Sequence, residues 1–132
     1  MRGKQWLREP EQYALVFHDG RSWVNSRLVM KALPNGLNIS RYGFSVSRHV
    51  GKAVVRNRVK RRLREILRAT PLKTGWDIVF IARSPAVTSF ADLRESAVWL
   101  LSRSSLLVAS GDTRPAARSI RSESERESEQ GI

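Results

Sequence analysis

Residues 41–68, RYGFSVSRHVGKAVVRNRVKRRLREILR, hold ten Arg or Lys and a single acid, Glu65. The stretch has two periods. From Tyr42 to Ser47, large apolar residues (Tyr42, Phe44, Val46) alternate with small ones (Gly43, Ser45, Ser47), the period of a β-strand. The large face belongs on a core; the small face leaves room for something to lie on the sheet. From about Val54 to Ala69 the period becomes helical. Val55, Val59, Leu63 and Ile66 fall within about 80° of arc, with Leu67 just outside. Arg56, Lys60, Arg64 and Arg68 form a row at four-residue spacing. Asn57 and Arg61 lie beside that row, and Arg58 and Arg62 flank the apolar stripe on its other edge. Like charges at this spacing repel by a few tenths of a kcal/mol per pair, a cost that a polyanion offsets. A solvated surface helix would mix Glu with Lys. One acid among eight charged positions is instead the footprint of a nucleic-acid-binding helix.

Upstream, Pro10 suits a first helical position, with Glu9 and Glu11 at the positive helix end. Tyr13, Val16 and Phe17 then recur at helical spacing, which predicts a short helix over 10–18, ended by Asp19-Gly20. The two rings serve either as core or as a stacking surface for bases. Residues 1–8 show no clear period. Leu28–Leu33 reads as a strand, with residues 22–27 as its possible extension and Pro34-Asn35-Gly36 as the turn that closes it. Downstream of the basic helix, Thr70-Pro71 is a stop. Trp76–Ala82 is a buried-type strand. Ser89 is a helix cap with Asp92 at the third helical position, and the helix that follows runs to about Ser104. From Ala109 the composition turns to Ser, Arg and Glu, too polar to order itself. This divides the chain into a domain, residues 1–109, and a disordered tail, residues 110–132. The tail holds four Arg and five acids, so of the chain's net +12 the domain carries +13. The basic character therefore belongs to the folded part.

That charge favours a polyanionic partner. There is no cysteine, which excludes disulfides and thiolate metal sites. His18 and His49 cannot make a zinc site without carboxylates. No 18-residue apolar run or signal peptide is evident, and a cytoplasmic protein without membrane contact is expected. The acids of the domain (Glu9, Glu11, Asp19, Glu65, Asp77, Asp92, Glu95) do not cluster as a two-metal nuclease requires. No phosphate-binding glycine loop and no Ser-His-Asp spacing is found. Cations, serines, an asparagine and aromatic rings suit RNA binding by phosphate contact and stacking.

The run GFSVSRHVGKAVVRNRVKRRLRE resembles the signature of the protein subunit of bacterial ribonuclease P: a G-x-S-V-S-basic strand end, a G-x-A-V loop, and an R-N-R-hydrophobic-K-R-x-x-R-E helix. WLREPEQYALVFHDGRS, DIVFIAR and the Ser104–Leu107 end resemble other parts of that family, so the likeness spans roughly residues 6–107. It implies a small single α/β (α+β) domain, a sheet with helices in the order α-β-β-(β)-α-β-α, with a left-handed βαβ crossover. It implies a subunit of the endoribonuclease that removes the 5′ leader of precursor transfer RNA, whose catalytic centre lies in a large RNA that uses Mg2+. The protein alone would be inactive, with no catalytic residue and no cofactor of its own. Carried onto this chain, the likeness assigns Lys52, Arg56, Asn57, Arg58, Lys60, Arg61, Arg64 and Arg68 to the catalytic RNA. It assigns Tyr13, Phe17, Lys31, Ser45, Ser47 and Arg48 to the single-stranded leader, with one protein per RNA. Two positions depart from the family: Lys31 stands where a tyrosine is common, and His49 where a second lysine is. Composition alone fits a ribosomal or general RNA-binding protein equally well; a protein-only nuclease is disfavoured by the scattered acids.

Overall fold

The computed structural model describes residues 4–108; the boundary at Ala109 and the tail lie outside them. The elements run β1 (Lys4–Trp6), α1 (Pro10–Asp19), β2 (Arg21–Val24), β3 (Leu28–Pro34), β4 (Ser40–Val46), α2 (Ala53–Ala69), β5 (Trp76–Ala82) and α3 (Phe90–Arg103), with a 3-10 turn at Ser84–Ala86. The five strands form one sheet in the order β1-β4-β5-β3-β2. β4 pairs in parallel with both β1 and β5, while β3 pairs antiparallel with β5 and β2. The basic helix α2 is thus the crossover between the parallel neighbours β4 and β5.

Period decides most of this. Tyr42, Met30, Ile78 and Phe80 point to one face, where they meet Val59, Leu63, Ile66 and Leu67 of α2 and Leu93, Ala97, Leu100 and Leu101 of α3 in the main core. α1 covers part of the opposite face, burying Val16 against Val79 and Leu7. Ser89 caps α3, accepting from the Asp92 N–H at 3.1 Å. Two local readings change. Residues 22–27 are not a continuation of β3. Asn25 turns the chain there, its side-chain oxygen accepting from the N–H groups of Arg27 and Leu28 at 3.0 and 2.9 Å, and β2 folds back on β3 as a hairpin. Residues 4–6, which show no period, form the edge strand β1. Tertiary pairing explains it: Lys4, Gln5 and Trp6 align with Ser40, Arg41 and Tyr42. Lys4 also donates to the Leu67 and Thr70 carbonyls at 2.6 and 2.8 Å, satisfying the orphan end of α2.

Tyr42 sits at the centre of the core, 1% exposed, and its hydroxyl has no hydrogen-bond partner among the described residues. Burial raises its pKa far above the ordinary value of 10.0. Nearby Ser40 softens that shift, but its hydroxyl is committed to the Lys73 carbonyl and the Trp76 N–H. The folded state therefore favours the neutral phenol. That contribution is complete below pH 10 and is lost as pH rises from there toward the folded pKa, at up to about 1.4 kcal/mol per pH unit. Tyr42→Phe removes both the unpaired hydroxyl and the titration. Denaturant melts at pH 8 should show it neutral or slightly stabilising, and melts above pH 10 should show a flatter alkaline loss than the parent.

Candidate nucleic-acid interface

On α2 the cations divide into three groups. Asn57, Arg58 and Arg61 are exposed on the outer face, Lys52 is exposed at the N-terminus of the helix, and Arg68, also exposed, lies on the flank over the Trp6 ring. Arg56, Lys60 and Arg64 are half-buried. Arg64 lies over the Phe44 ring, and the Arg56 Nε is buried without a hydrogen-bond partner among the described residues. Arg62, on the other edge, donates to the Thr88 carbonyl at 2.6 Å and so ties α2 to the start of α3. The wheel placed Arg58 and Arg62 together on one edge; the structure frees the first and gives the second a fixed backbone partner. Leu67, placed just outside the stripe, is fully buried, while Val55 is half-buried.

The second surface lies on the opposite face of the sheet. Lys31, Val79 and Gly43 pair across β3, β5 and β4; the next row on the same face is Val29, Ile81 and Ser45. Tyr13 of α1 lies directly over Gly43: a Cβ there would come within 2.5 Å of the tyrosine ring. The room left by the small residue is therefore filled, at that position, by this chain's own Tyr13, which also packs with the Val16–Val79 cluster. Phe17 sits one turn on, its ring centroid 6.4 Å from that of Tyr13, and is 40% exposed. Beyond Tyr13 the floor is left half-open at Ser45, Ile81 and Val29. Lys31 Nζ donates to Ser22 Oγ at 2.8 Å, which holds the ammonium on the same face. Ser47 and Arg48 follow the end of β4, both exposed. The fold thus places Lys31 and Ser45 on the sheet face that α1 covers, beside Tyr13 and Phe17, with Ser47 and Arg48 beyond the strand end. The same strand leads, through residues 47–52, into α2, so β4 serves both surfaces.

Gly43→Ala should force the Tyr13 ring off its seat. The expected cost is that of overpacking, about 1–3 kcal/mol, read as a lower midpoint in thermal or denaturant unfolding. An unchanged midpoint would mean that the ring swings aside freely.

Some charges are spent inside the fold. Arg41 donates twice to Asp77, at 2.8 and 2.7 Å, and the same carboxylate accepts from Asn35 at 2.9 Å. The ion pair with Asp77 outweighs burial and raises the Arg41 pKa. Among the described residues no group of three or more His, Cys, Asp or Glu side chains comes together. Sequence reading passed over Trp6, half-buried with Arg68 over its ring. A tryptophan in a segment without a period gave no signal beyond its residue type.

Comparison with known proteins identifies the family and the fold. The family model described as Ribonuclease P matches residues 1–105. A ribonuclease P protein component of Dehalococcoides mccartyi is 47% identical over 108 residues, which covers 81% of this chain and 90% of that protein. One from Roseiflexus castenholzii is 52% identical over 87 residues, 64% of this chain and 71% of that protein. The solved ribonuclease P protein of Thermotoga maritima superposes with a TM-score of 0.67 at 37% identity, covering 74% of this chain and 94% of that one. By the family model, these relatives and the shared fold, this chain belongs to the ribonuclease P protein family, the protein subunits of the endoribonuclease that processes transfer RNA.

Proposed function

We propose that the chain docks the outer face of α2 on the catalytic RNA and holds the single-stranded 5′ leader of precursor transfer RNA in the groove between α1 and the sheet. The observation that carries this reading is the division of labour across one strand. β4 sends its large side chains to the core beneath α2 and its small ones to the groove beneath α1. One folded unit can then face two RNA ligands at once, with cations on one face and rings on the other. Lys52, Asn57, Arg58 and Arg61 supply phosphate contacts. Phe17 stacks on an unpaired base, while Tyr13 shapes the wall beside it. Lys31, Ser45, Ser47 and Arg48 meet the leader's backbone.

Cleavage itself is assigned to the RNA. Asp77, 5% exposed, is already held by Arg41 and Asn35, and among the described residues no three acidic or histidine side chains come together, which supports a metal held by the RNA. The proposal therefore places Mg2+ on the RNA, with one protein per RNA in the cytoplasm, and treats residues 1–109 as the working unit. Purified chain, freed of RNA by nuclease treatment, should leave precursor transfer RNA intact. Adding the catalytic RNA with Mg2+ should restore 5′ cleavage. Robust metal-dependent cleavage by the RNA-free chain would overturn the assignment.

A further inference from the structure

The flank of α2 and the edge strand β1 meet in a cluster that the outer-face reading leaves unused. The Arg64 Cζ lies 5.9 Å from the centroid of the Phe44 ring, and the Arg68 Cζ 5.8 Å from that of Trp6. The two rings meet at 5.8 Å with planes tilted by 50°, and Trp6 meets Tyr42 edge-on at 6.3 Å. Trp6 and Phe44 pack on the main core but neither is fully buried. Their position is fixed from both ends. Phe44 is paired with Phe80 in the sheet, and Lys4, two residues before Trp6, is bonded to the C-terminal carbonyls of α2. Among the described residues no salt bridge joins Lys60, Arg64 or Arg68 to a carboxylate.

A purely structural arginine would be expected to find a carboxylate or a carbonyl, as Arg41 and Arg62 do. Arg64 and Arg68 rest on rings instead. A ring neutralises none of the positive charge. It narrows the side chain's rotamers while the N–H edge stays available, so less freedom is lost when that edge meets a phosphate.

We infer that Trp6 and Phe44 are positioning residues: they preset Arg68 and Arg64 for phosphodiester oxygens of the catalytic RNA. That interface then continues from the outer face of α2 along its flank to β1. The inference rests on α2 being the face that docks on that RNA. The ligand chemistry, a phosphate oxygen, is shared by precursor transfer RNA, which the experiment treats separately.

The test is a double-mutant cycle read by salt-dependent titration of the full chain against the catalytic RNA. Trp6→Leu removes the ring but keeps an apolar side chain and every charge. It should weaken binding about two- to fivefold without changing the slope of log K against log salt. Trp6→Phe should restore most of the loss. Arg68→Ala should lower the magnitude of that slope by about 0.7–0.9. In the Arg68→Ala background, Trp6→Leu should add almost nothing. A second cycle, Phe44→Leu with Arg64→Ala, repeats the measurement with a smaller volume change and decides the matter if Trp6→Leu fails to fold. Full additivity in the cycle, or unchanged affinity in Trp6→Leu, overturns the inference and leaves the rings as core alone. Holoenzyme titrated with precursor transfer RNA should show no such coupling; coupling confined to that arm overturns the assignment to the catalytic RNA. Arg58→Ala with Arg61→Ala, measured in parallel, tests the underlying reading. If that pair binds normally, the docking face itself is wrong, whatever the cycles give.

Discussion

Arg58→Ala combined with Arg61→Ala is expected to weaken assembly with the catalytic RNA by roughly 15- to 30-fold at 0.15 M salt, if each side chain neutralises one phosphate. Both side chains are exposed on the outer face of α2 and bury no core surface, so the fold should survive the change. The affinity loss arises from counterion release, which makes salt the diagnostic variable. Removing two contacts should lower the magnitude of the slope of log K against log salt by about 1.8 for duplex phosphates, or about 1.4 for single strands. Between 50 and 200 mM salt the parent should then lose about sevenfold to twelvefold more affinity than the variant. Arg62→Ala is the contrasting control. Its guanidinium is bonded to the Thr88 carbonyl, so its replacement should lower the unfolding midpoint more than it alters the salt slope. If the Arg58/Arg61 variant assembles with normal affinity and slope, the outer face of α2 is not the docking surface.

Phe17→Ala should leave assembly nearly intact yet cost roughly 1–3 kcal/mol in binding a precursor that carries a leader, the usual worth of one stacked base. Mature transfer RNA lacks the leader and should bind with little change. Phe17 is 40% exposed and belongs to neither core cluster, so its truncation should leave the domain folded. Tyr13 behaves differently. Its ring is part of the packing over Gly43, so Tyr13→Ala should lower the unfolding midpoint as well as leader affinity. The measurements are titrations of holoenzyme with precursor and with mature transfer RNA, alongside a melt of the free chain. Equal loss for both RNAs in Phe17→Ala would mean that the ring acts through the fold and not through the leader.

Sequence alone determined the long elements, because their periods are imposed by their own side chains. The alternation of Tyr42, Phe44 and Val46 could sit only as a strand with one buried face, and the spacing of Val59, Leu63 and Ile66 only as a helix over a core. The charge of α2 was equally legible, since seven cations against one acid need no neighbour to interpret them. So was Ser89 as a cap, whose hydrogen bond is to a residue three positions away. What tertiary structure decided has a common physical cause: it depends on groups distant in the chain. Lys4–Trp6 has no period of its own and is a strand because β4 offers an unpaired edge and α2 offers orphan carbonyls. The small face of β4 was read as open, yet α1 returns from the far end of the sequence to seat Tyr13 on Gly43. A helical wheel fixes each arginine's direction from its own axis but not what stands there. Only packing separated Arg58 and Arg61, free on the outer face, from Arg62 on a carbonyl and Arg64 and Arg68 on rings.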